Sequence, residues 1–353
     1  MAPAAPNPVS SVTTATADAA RLVADADQLE ADGKLLEAVD VLTEANRRQR
    51  DAEIDRRLVR LRHRAFATID RSGGLPSWPP EVPGDRPVDA GPLVVSADEL
   101  SVETLRQGIF RHGSLHVRGL VSRERVDLLT GDIDRAFDGF QARADGAPAS
   151  ETTPWFERFK APGGRAVGVR RQWTHDAGGV WAADSPRGLF DLVETLEHTG
   201  LGRLITGHLG ERPAFSMNKC VLRRTSLDAK ANWHQDGAFL GSDIRAVNVW
   251  MALTDCGRDA PGLDLVGRRL DGVVETGTEG AAFDWAVGPG VVDRVADGTV
   301  VRPLFNAGDV LLFDDLTLHR TALTPSMTRE RHAIEMWFFA PSRYPDDQVP
   351  LAY

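Results

Sequence analysis

The stretch Trp233-His234-Gln235-Asp236-Gly237 carries the most information in this chain, together with a histidine 85 residues further on, His319. His234 and Asp236 are separated by one residue, so both side chains point to the same side of an extended strand. His319 follows a second apolar run, Val310–Phe313, and is expected at the end of another strand. Two imidazoles and one carboxylate on one face of Fe(II) leave the opposite face open for substrate and O2. The sequence thus predicts a non-haem iron site with His234, Asp236 and His319 as its catalytic metal ligands.

Short apolar runs separated by turns dominate the C-terminal part of the chain. We predict strands over residues 215–223, 245–253, 263–266, 290–295, 310–313 and 332–339. Helices do not alternate with these runs, which favours antiparallel strands over a parallel sheet. Helical patterns lie between residues 100 and 210 instead. The predicted fold class is α+β, with a double-stranded β-helix (jelly-roll or cupin-like) core and flanking helices.

The N-terminal part has a different pattern. Residues 1–14 are rich in Ala, Pro, Ser and Thr and predict a disordered tail. Apolar residues recur at three- and four-residue spacing over 15–70, which predicts a helical hairpin with a weak tetratricopeptide-like character. Residues 71–92 are rich in Pro and Gly and predict a linker, so 93–353 would form the catalytic domain. The helices either pack on that domain or contact a second copy or another protein.

Composition excludes several classes of function. The 353-residue chain carries a formal net charge of −10, which disfavours binding to nucleic acid or to an anionic membrane surface. No run approaches the ~18 consecutive apolar residues of a membrane span. Only Cys220 and Cys256 are present, so a disulfide framework is not expected and a cytoplasmic location is predicted. The expected binding partner is a small-molecule substrate.

A second group of candidates concerns a carboxylate-bearing cosubstrate. Arg331 lies twelve residues after His319 and is suited to bidentate hydrogen bonding with the distal carboxylate of 2-oxoglutarate. Arg329, two residues earlier on the same face of an extended chain, is the alternative. Thr321 could add a hydroxyl group to the same carboxylate. Trp250 either forms a wall of the cosubstrate pocket or packs in the core.

The loop-rich segment 156–181 could act as a lid over the site. Basic and aromatic residues in it, and one lysine on the strand before the metal motif, are candidate substrate contacts: Arg165, Arg170, Arg171, Trp173, His175 and Lys219. For each of them an ordinary solvated position is the simpler interpretation.

Four segments together resemble the phytanoyl-CoA dioxygenase family. They are Trp-His-Gln-Asp-Gly at 233–237, Val-Trp-Met-Ala-Leu-Thr-Asp at 249–255, Gly-Asp-Val-Leu-Leu-Phe-Asp-Asp-x-x-x-His-x-Thr at 308–321, and Arg-x-Ala-Ile at 331–334. The resemblance covers about residues 100–342. It implies a double-stranded β-helix, Fe(II) bound by the two histidines and the aspartate, and 2-oxoglutarate held by Arg331 with Thr321.

Two departures from the family pattern lie beside the predicted site. Val266-Gly267-Arg268-Arg269 replaces a Pro-Gly-Ser-His turn, and Arg320 follows the distal histidine in place of a small residue. Asp236 is retained, whereas halogenating relatives carry a small residue at this position. The resemblance therefore implies hydroxylation or another oxidation, with succinate and CO2 as coproducts. An iron oxygenase that does not use 2-oxoglutarate is one alternative. The other is a catalytically silent metal-binding protein whose N-terminal helices bind a partner.

Overall fold

The computed structural model describes residues 8–72, 74–83, 89–162 and 171–353. The α-helices in these ranges are α1 Pro8–Ala31, α2 Leu35–Arg48, α3 Ala52–Ala65, α4 Val102–Gln107, α5 Arg123–Ala144, α6 Ala149–Thr152, α7 Arg171–Asp176, α8 Pro186–Thr199, α9 Leu201–Leu209, α10 Gly237–Leu240 and α11 Pro289–Ala296. The strands are β1 Leu93–Ser96, β2 Ser114–Arg118, β3 Gly179–Trp181, β4 Ala214–Thr225, β5 Ala246–Ala252, β6 Gly262–Val266, β7 Val300–Val301, β8 Val310–Phe313, β9 His319–Ala322, β10 Arg331–Phe339 and β11 Pro350–Ala352. The predicted α+β class is confirmed.

The strands form one large sheet and one small sheet. The large sheet has the order β1-β2-β8-β5-β10-β4-β11, with β3 also paired to β4. Its β1–β2 pair is parallel, and its other pairs are antiparallel. The small sheet has the order β7-β6-β9 and is antiparallel. The predicted preference for antiparallel pairing therefore holds for every strand pair of the described residues except β1–β2.

The two sheets share a hydrophobic cluster. Trp250, Phe313 and Trp337 from the large sheet are buried in it together with Leu263 and Leu265 from the small sheet. Apolar residues at alternating positions of a strand face opposite sides, so only half of each large-sheet strand contributes to this cluster. The small sheet is therefore packed on one face of the large sheet.

The opposite face of the large sheet is covered by helices. Val249 and Met251 of β5 and Leu312 of β8 belong to a second buried cluster, which also contains Leu129 of α5 and Leu192 of α8. Because both faces are covered, the central strands read as continuous apolar runs rather than as polar–apolar alternation. This is why the sequence identifies these strands but does not indicate which residues face which layer.

The N-terminal helices pack against the body of the chain. α3 contacts α8 and β11, and Leu61 lies in a buried cluster with Phe190 and Ala352. The carboxylate of Asp55 accepts a hydrogen bond of 2.5 Å from Arg187 at the start of α8. These contacts agree with the first of the two interpretations of this segment, packing on the larger domain.

Two elements differ from the sequence prediction. α1 begins at Pro8, inside the segment predicted to be disordered, and residues 1–7 lie outside the described residues. The strand predicted over 290–295 is wrong, because this segment belongs to helix α11. Pro289 favours the first turn of a helix, and Val291, Val292 and Ala296 fall on one buried face at helical spacing.

The segment predicted as a linker, 71–92, contains neither helix nor strand in its described residues. Among the described residues, none of the helices combines the length and hydropathy needed to span a bilayer.

Candidate metal centre

Backbone pairing brings the two histidines of the candidate site together. The N–H groups of His234 and His319 each donate to the carbonyl oxygen of the other residue, both at 3.0 Å. His319 is the first residue of β9, and His234 forms an isolated antiparallel bridge with it. Residues directly opposite each other in an antiparallel pair place their side chains on the same face. The two imidazole ring centroids are consequently 4.3 Å apart.

Asp236 completes this group at the start of the short helix α10. The candidate ligand atoms of His234, Asp236 and His319 lie within 4.8 Å of one another and could hold one metal ion. His319 Nε2 is 3.8 Å from Asp236 Oδ2. The structure thus brings together the three ligands that the sequence predicts.

Hydrogen bonds fix which ring nitrogen of each histidine is available. His234 Nδ1 lies 3.0 Å from the carbonyl oxygen of Asn232, and His319 Nδ1 lies 2.9 Å from that of Thr317. A carbonyl oxygen can only accept, so each Nδ1 carries the proton and each Nε2 presents its lone pair. This outer hydrogen bond is the one that a metal-binding histidine requires.

The two carboxylate oxygens of Asp236 have different environments. Oδ1 accepts a hydrogen bond of 3.1 Å from the Lys219 ammonium group, which also lies 4.0 Å from the centroid of the Phe239 ring. Oδ2 is buried and has no hydrogen-bond partner. A buried carboxylate oxygen without a partner carries a large desolvation cost unless a cation binds it. The residues present therefore fit a metal ion coordinated by Oδ2 and the two Nε2 atoms.

Protonation states near neutral pH also suit metal binding. Burial, assisted by the neighbouring His319, lowers the pKa of His234 to about 4, so its ring is neutral. Burial raises the pKa of Asp236, but Lys219 and the two imidazoles outweigh this effect, and its pKa lies below the ordinary value. A neutral imidazole and an ionised carboxylate are the forms that coordinate a metal.

Gln235 and Gly237 hold the loops around the candidate ligands. The Gln235 amide donates to the carbonyl oxygens of Gly272 (3.1 Å) and Leu316 (2.7 Å), and its oxygen accepts from the Val274 N–H (2.7 Å). No role for Gln235 was expected from the sequence, although its position between two predicted ligands was a signal. At Gly237, a Cβ atom would lie 2.9 Å from Asp315 Oδ2, closer than ordinary contact allows.

Arg331 is a buried cation, with 3% of the residue exposed. Its guanidinium group donates to the carbonyl oxygen of Gly262 (2.9 Å) and to Thr225 Oγ1 (2.9 Å), and no carboxylate lies within ion-pair distance among the described residues. Burial lowers the pKa of Arg331 to about 10, which leaves it charged at neutral pH. Arg329, the alternative, is exposed.

Aromatic side chains connect Arg331 to the candidate metal ligands. The guanidinium carbon of Arg331 lies 5.3 Å from the Trp250 ring centroid, and Trp250 shares a buried cluster with Phe313. The Phe313 and His319 ring centroids are 5.0 Å apart. Thr321 is two residues after His319 on β9, so the two side chains share a face of the strand.

The residues predicted to contact substrate have varied surroundings. Arg171 is bonded to Asp184 (2.5 Å), and the His175 ring stacks on Phe140 with centroids 3.7 Å apart. Trp173 is exposed, and Lys219 is bound to a candidate metal ligand rather than free in the pocket. Arg165 and Arg170 lie outside the described residues.

The His-Asp-His group, in which Asp236 and His319 are buried and His234 is half-buried, could hold a metal ion. The model of the phytanoyl-CoA dioxygenase (PhyH) family matches residues 109–331, which is more than half of the chain. The chain therefore belongs to the phytanoyl-CoA dioxygenase family, and the predicted resemblance is confirmed. No curated protein matches the chain.

Solved structures with a similar fold are distant in sequence. The non-heme alpha ketoglutarate dependent carbocyclase SnoK from nogalamycin biosynthesis is 17% identical, with a TM-score of 0.42, over 70% of this chain and 87% of that one. AviO1 from Streptomyces viridochromogenes Tue57 is 17% identical, with a TM-score of 0.44, over 67% and 94%. EvdO2 from Micromonospora carbonacea var. aurantiaca is 13% identical, with a TM-score of 0.44, over 70% and 91%. At these identities and scores, none of them assigns an activity to this chain.

Proposed function

We propose that this chain is an Fe(II)- and 2-oxoglutarate-dependent dioxygenase that hydroxylates a small molecule. The observation that carries this proposal is the buried, unpartnered Asp236 Oδ2, which lies among two histidines whose Nε2 atoms are free to coordinate. Two imidazoles and one carboxylate with open positions form the ligand set of non-haem Fe(II) oxygenases. Membership of a dioxygenase family supports the same assignment.

The residues of the chain would have distinct roles. His234, Asp236 and His319 hold Fe(II), and Lys219 keeps one oxygen of Asp236 engaged so that the other faces the metal. When bound, Fe(II) and 2-oxoglutarate supply oxidation of the substrate by O2, with succinate and CO2 as coproducts. The apolar and aromatic side chains that surround the group exclude water from it.

Arg331 is the proposed anchor for 2-oxoglutarate. A buried guanidinium group without a carboxylate partner is costly, and a dicarboxylate ligand would supply the missing charge. Its fork of N–H donors matches a carboxylate in geometry. Trp250 packs near this cation, Phe313 packs near His319, and both belong to one buried cluster, so they are the proposed walls of the cosubstrate pocket. Thr321 lies on the same face of β9 as His319.

We also infer the domain arrangement that goes with this activity. The large and small sheets, packed over a shared cluster, form the two halves of a double-stranded β-helix within a catalytic domain of residues 93–353. Residues 15–70 form a helical unit before the Pro/Gly-rich segment. Its packing on α8 and β11 gives it a structural role, so a silent protein that acts through these helices is less well supported.

The proposal is tested by adding Fe(II) and 2-oxoglutarate to the protein under anaerobic conditions. The wild type should develop a weak visible charge-transfer band and, after O2 is admitted, form succinate. His234→Ala should do neither, whereas Val94→Ala, at an exposed position on the edge strand β1, should match the wild type. A wild type that binds neither Fe(II) nor 2-oxoglutarate would overturn the proposal.

A further inference from the structure

Two aromatic side chains contact the half-buried His234, and a third packs on one of them. The Phe239 ring lies 6.1 Å from the His234 ring at an interplanar angle of 21°, and the Trp285 ring lies 6.0 Å from it at 90°. Phe239 and Trp285 are themselves 6.3 Å apart and nearly perpendicular. Phe283 stacks on Trp285 at 5.3 Å and 3°. We call Phe239, Phe283 and Trp285 the aromatic mouth.

The aromatic mouth stands on a buried and hydrogen-bonded base. The N–H of Val287 donates to the carbonyl oxygen of Trp233 at 2.8 Å, one residue before His234. Ala286 and Val287 are buried, and Val287 belongs to a cluster with Trp233 and Leu318. The Ala286 N–H also bonds to the carbonyl oxygen of Phe283 at 3.0 Å. The loop that carries Phe283 and Trp285 is therefore attached directly to the candidate metal-binding segment.

The outermost ring of the mouth remains open to solvent. One face of Phe283 is covered by Trp285, yet 46% of the residue is exposed. Support of the His234 ring does not require this residue, because Trp285 and Phe239 already contact that ring. A stack of parallel rings with an open outer ring can be extended by one more flat ring.

The cation that packs on the mouth is already paired. Lys219 lies over the Phe239 ring and donates a 3.1 Å hydrogen bond to Asp236. Ligand pockets are lined mainly by apolar and aromatic side chains, with a few polar groups that fix orientation. The open Phe283 ring is therefore a feature of the mouth that can select a substrate.

We propose that the substrate of this site presents a planar aromatic ring, which stacks on the open face of Phe283 at the outer end of the aromatic mouth. This inference rests on the proposed function for the oxidation itself, but the ring contact is a separate property of Phe283 and Trp285. These two residues determine specificity and do not touch the cosubstrate anchor at Arg331.

The test compares two probes of similar shape, 2-naphthol and trans-decahydro-2-naphthol, in calorimetric binding to protein with and without Fe(II) and 2-oxoglutarate under anaerobic conditions. Only the first probe has flat rings. The wild type should bind 2-naphthol roughly fivefold tighter, the size of one favourable ring–ring contact. Phe283→Leu and Trp285→Leu should each remove at least half of this preference, and Val94→Ala should retain it.

The variants also separate failure of this inference from failure of the proposed function. Phe283 is largely exposed, so Phe283→Leu should fold normally even if Trp285→Leu disturbs the loop. Equal binding of the two probes by a wild type that binds Fe(II) and 2-oxoglutarate would overturn the ring proposal alone. An unchanged preference in both leucine variants would do the same. Tighter binding of 2-naphthol than of trans-decahydro-2-naphthol by a protein that binds neither Fe(II) nor 2-oxoglutarate would overturn the proposed function. It would not contradict the proposed ring-binding site.

Discussion

Replacement of Arg331 by glutamine gives the sharpest test of the cosubstrate site. The comparison uses two ligands of equal chain length, 2-oxoglutarate and 2-oxopentanoate, of which only the first has a distal carboxylate. In the wild type, the buried guanidinium group should favour 2-oxoglutarate by about 3 kcal/mol, the upper range for a hydrogen bond to a charged group, because 3% exposure leaves little screening by solvent. This corresponds to a ratio of dissociation constants of about 150.

In Arg331→Gln this ratio should fall to less than about 5, because the interaction that distinguishes the ligands is gone. Loss of the donors to the Gly262 carbonyl and to Thr225 also destabilises the variant, and this effect is common to both ligands. Comparing the wild type and Arg331→Gln with both ligands forms a thermodynamic cycle. The cycle isolates the free energy of the contact between the guanidinium group and the distal carboxylate.

The assay is calorimetric titration of the Fe(II)-loaded protein without O2. Arg329→Gln is the matched control, since Arg329 is exposed and lies two residues earlier on the chain. In this variant the ratio of the dissociation constants of the two ligands should equal that of the wild type. The reasoning would be refuted by a wild type that binds both ligands equally, or by a ratio that collapses in the Arg329 variant and not in the Arg331 variant.

Three further predictions concern the metal group and the helical layer. Lys219→Met should weaken Co(II) binding about tenfold in calorimetry, because Asp236 loses the hydrogen bond that orients it; an unchanged affinity would contradict this role. Gly237→Ala should also weaken Co(II) binding, since its Cβ would lie 2.9 Å from Asp315 Oδ2. Burial, together with a second buried carboxylate, raises the pKa of Asp132 to about 7, so the folded protein holds a proton that the unfolded chain releases above about pH 4. The free energy of unfolding should therefore fall from pH 5 to pH 7 by about 2 kcal/mol more in the wild type than in Asp132→Asn, as measured by urea denaturation.

The sequence predicts the candidate ligands well because their geometry is local. Only one residue separates His234 from Asp236, which keeps the two side chains close even though Asp236 lies in the turn that begins α10 rather than on a strand. His319 follows the strong apolar run Val310–Phe313 by six residues. Each of these patterns depends on a few neighbouring residues. The backbone pairing of His234 with His319 is a tertiary contact that neither the local pattern nor the family resemblance predicted.

Other features of the site depend on contacts that no local pattern encodes. Lys219 lies in the middle of the apolar strand β4, and its partner Asp236 is known only once β4 and the turn at α10 are placed. Phe283 and Trp285 lie in a loop whose base is fixed by a long-range hydrogen bond from the Val287 N–H to the Trp233 carbonyl oxygen.

The wrong prediction of a strand over residues 290–295, where the structure has helix α11, has a different cause. The valines of α11 have strand-like propensity, and this propensity outweighed the helical signals of Pro289 and of the spacing of Val291, Val292 and Ala296.

The charged residues of β4 and β10 show how such contacts can still be anticipated. A charge buried in an apolar strand requires a partner. The partly buried cations Arg223 and Lys219 each have one: Arg223 bonds to Glu335 at 2.8 Å across the strands, and Lys219 bonds to Asp236. Arg331 is more deeply buried than either cation, yet it has only neutral acceptors among the described residues. The same electrostatic rule that pairs the first two cations within the chain is the reason for proposing an anionic ligand for the third.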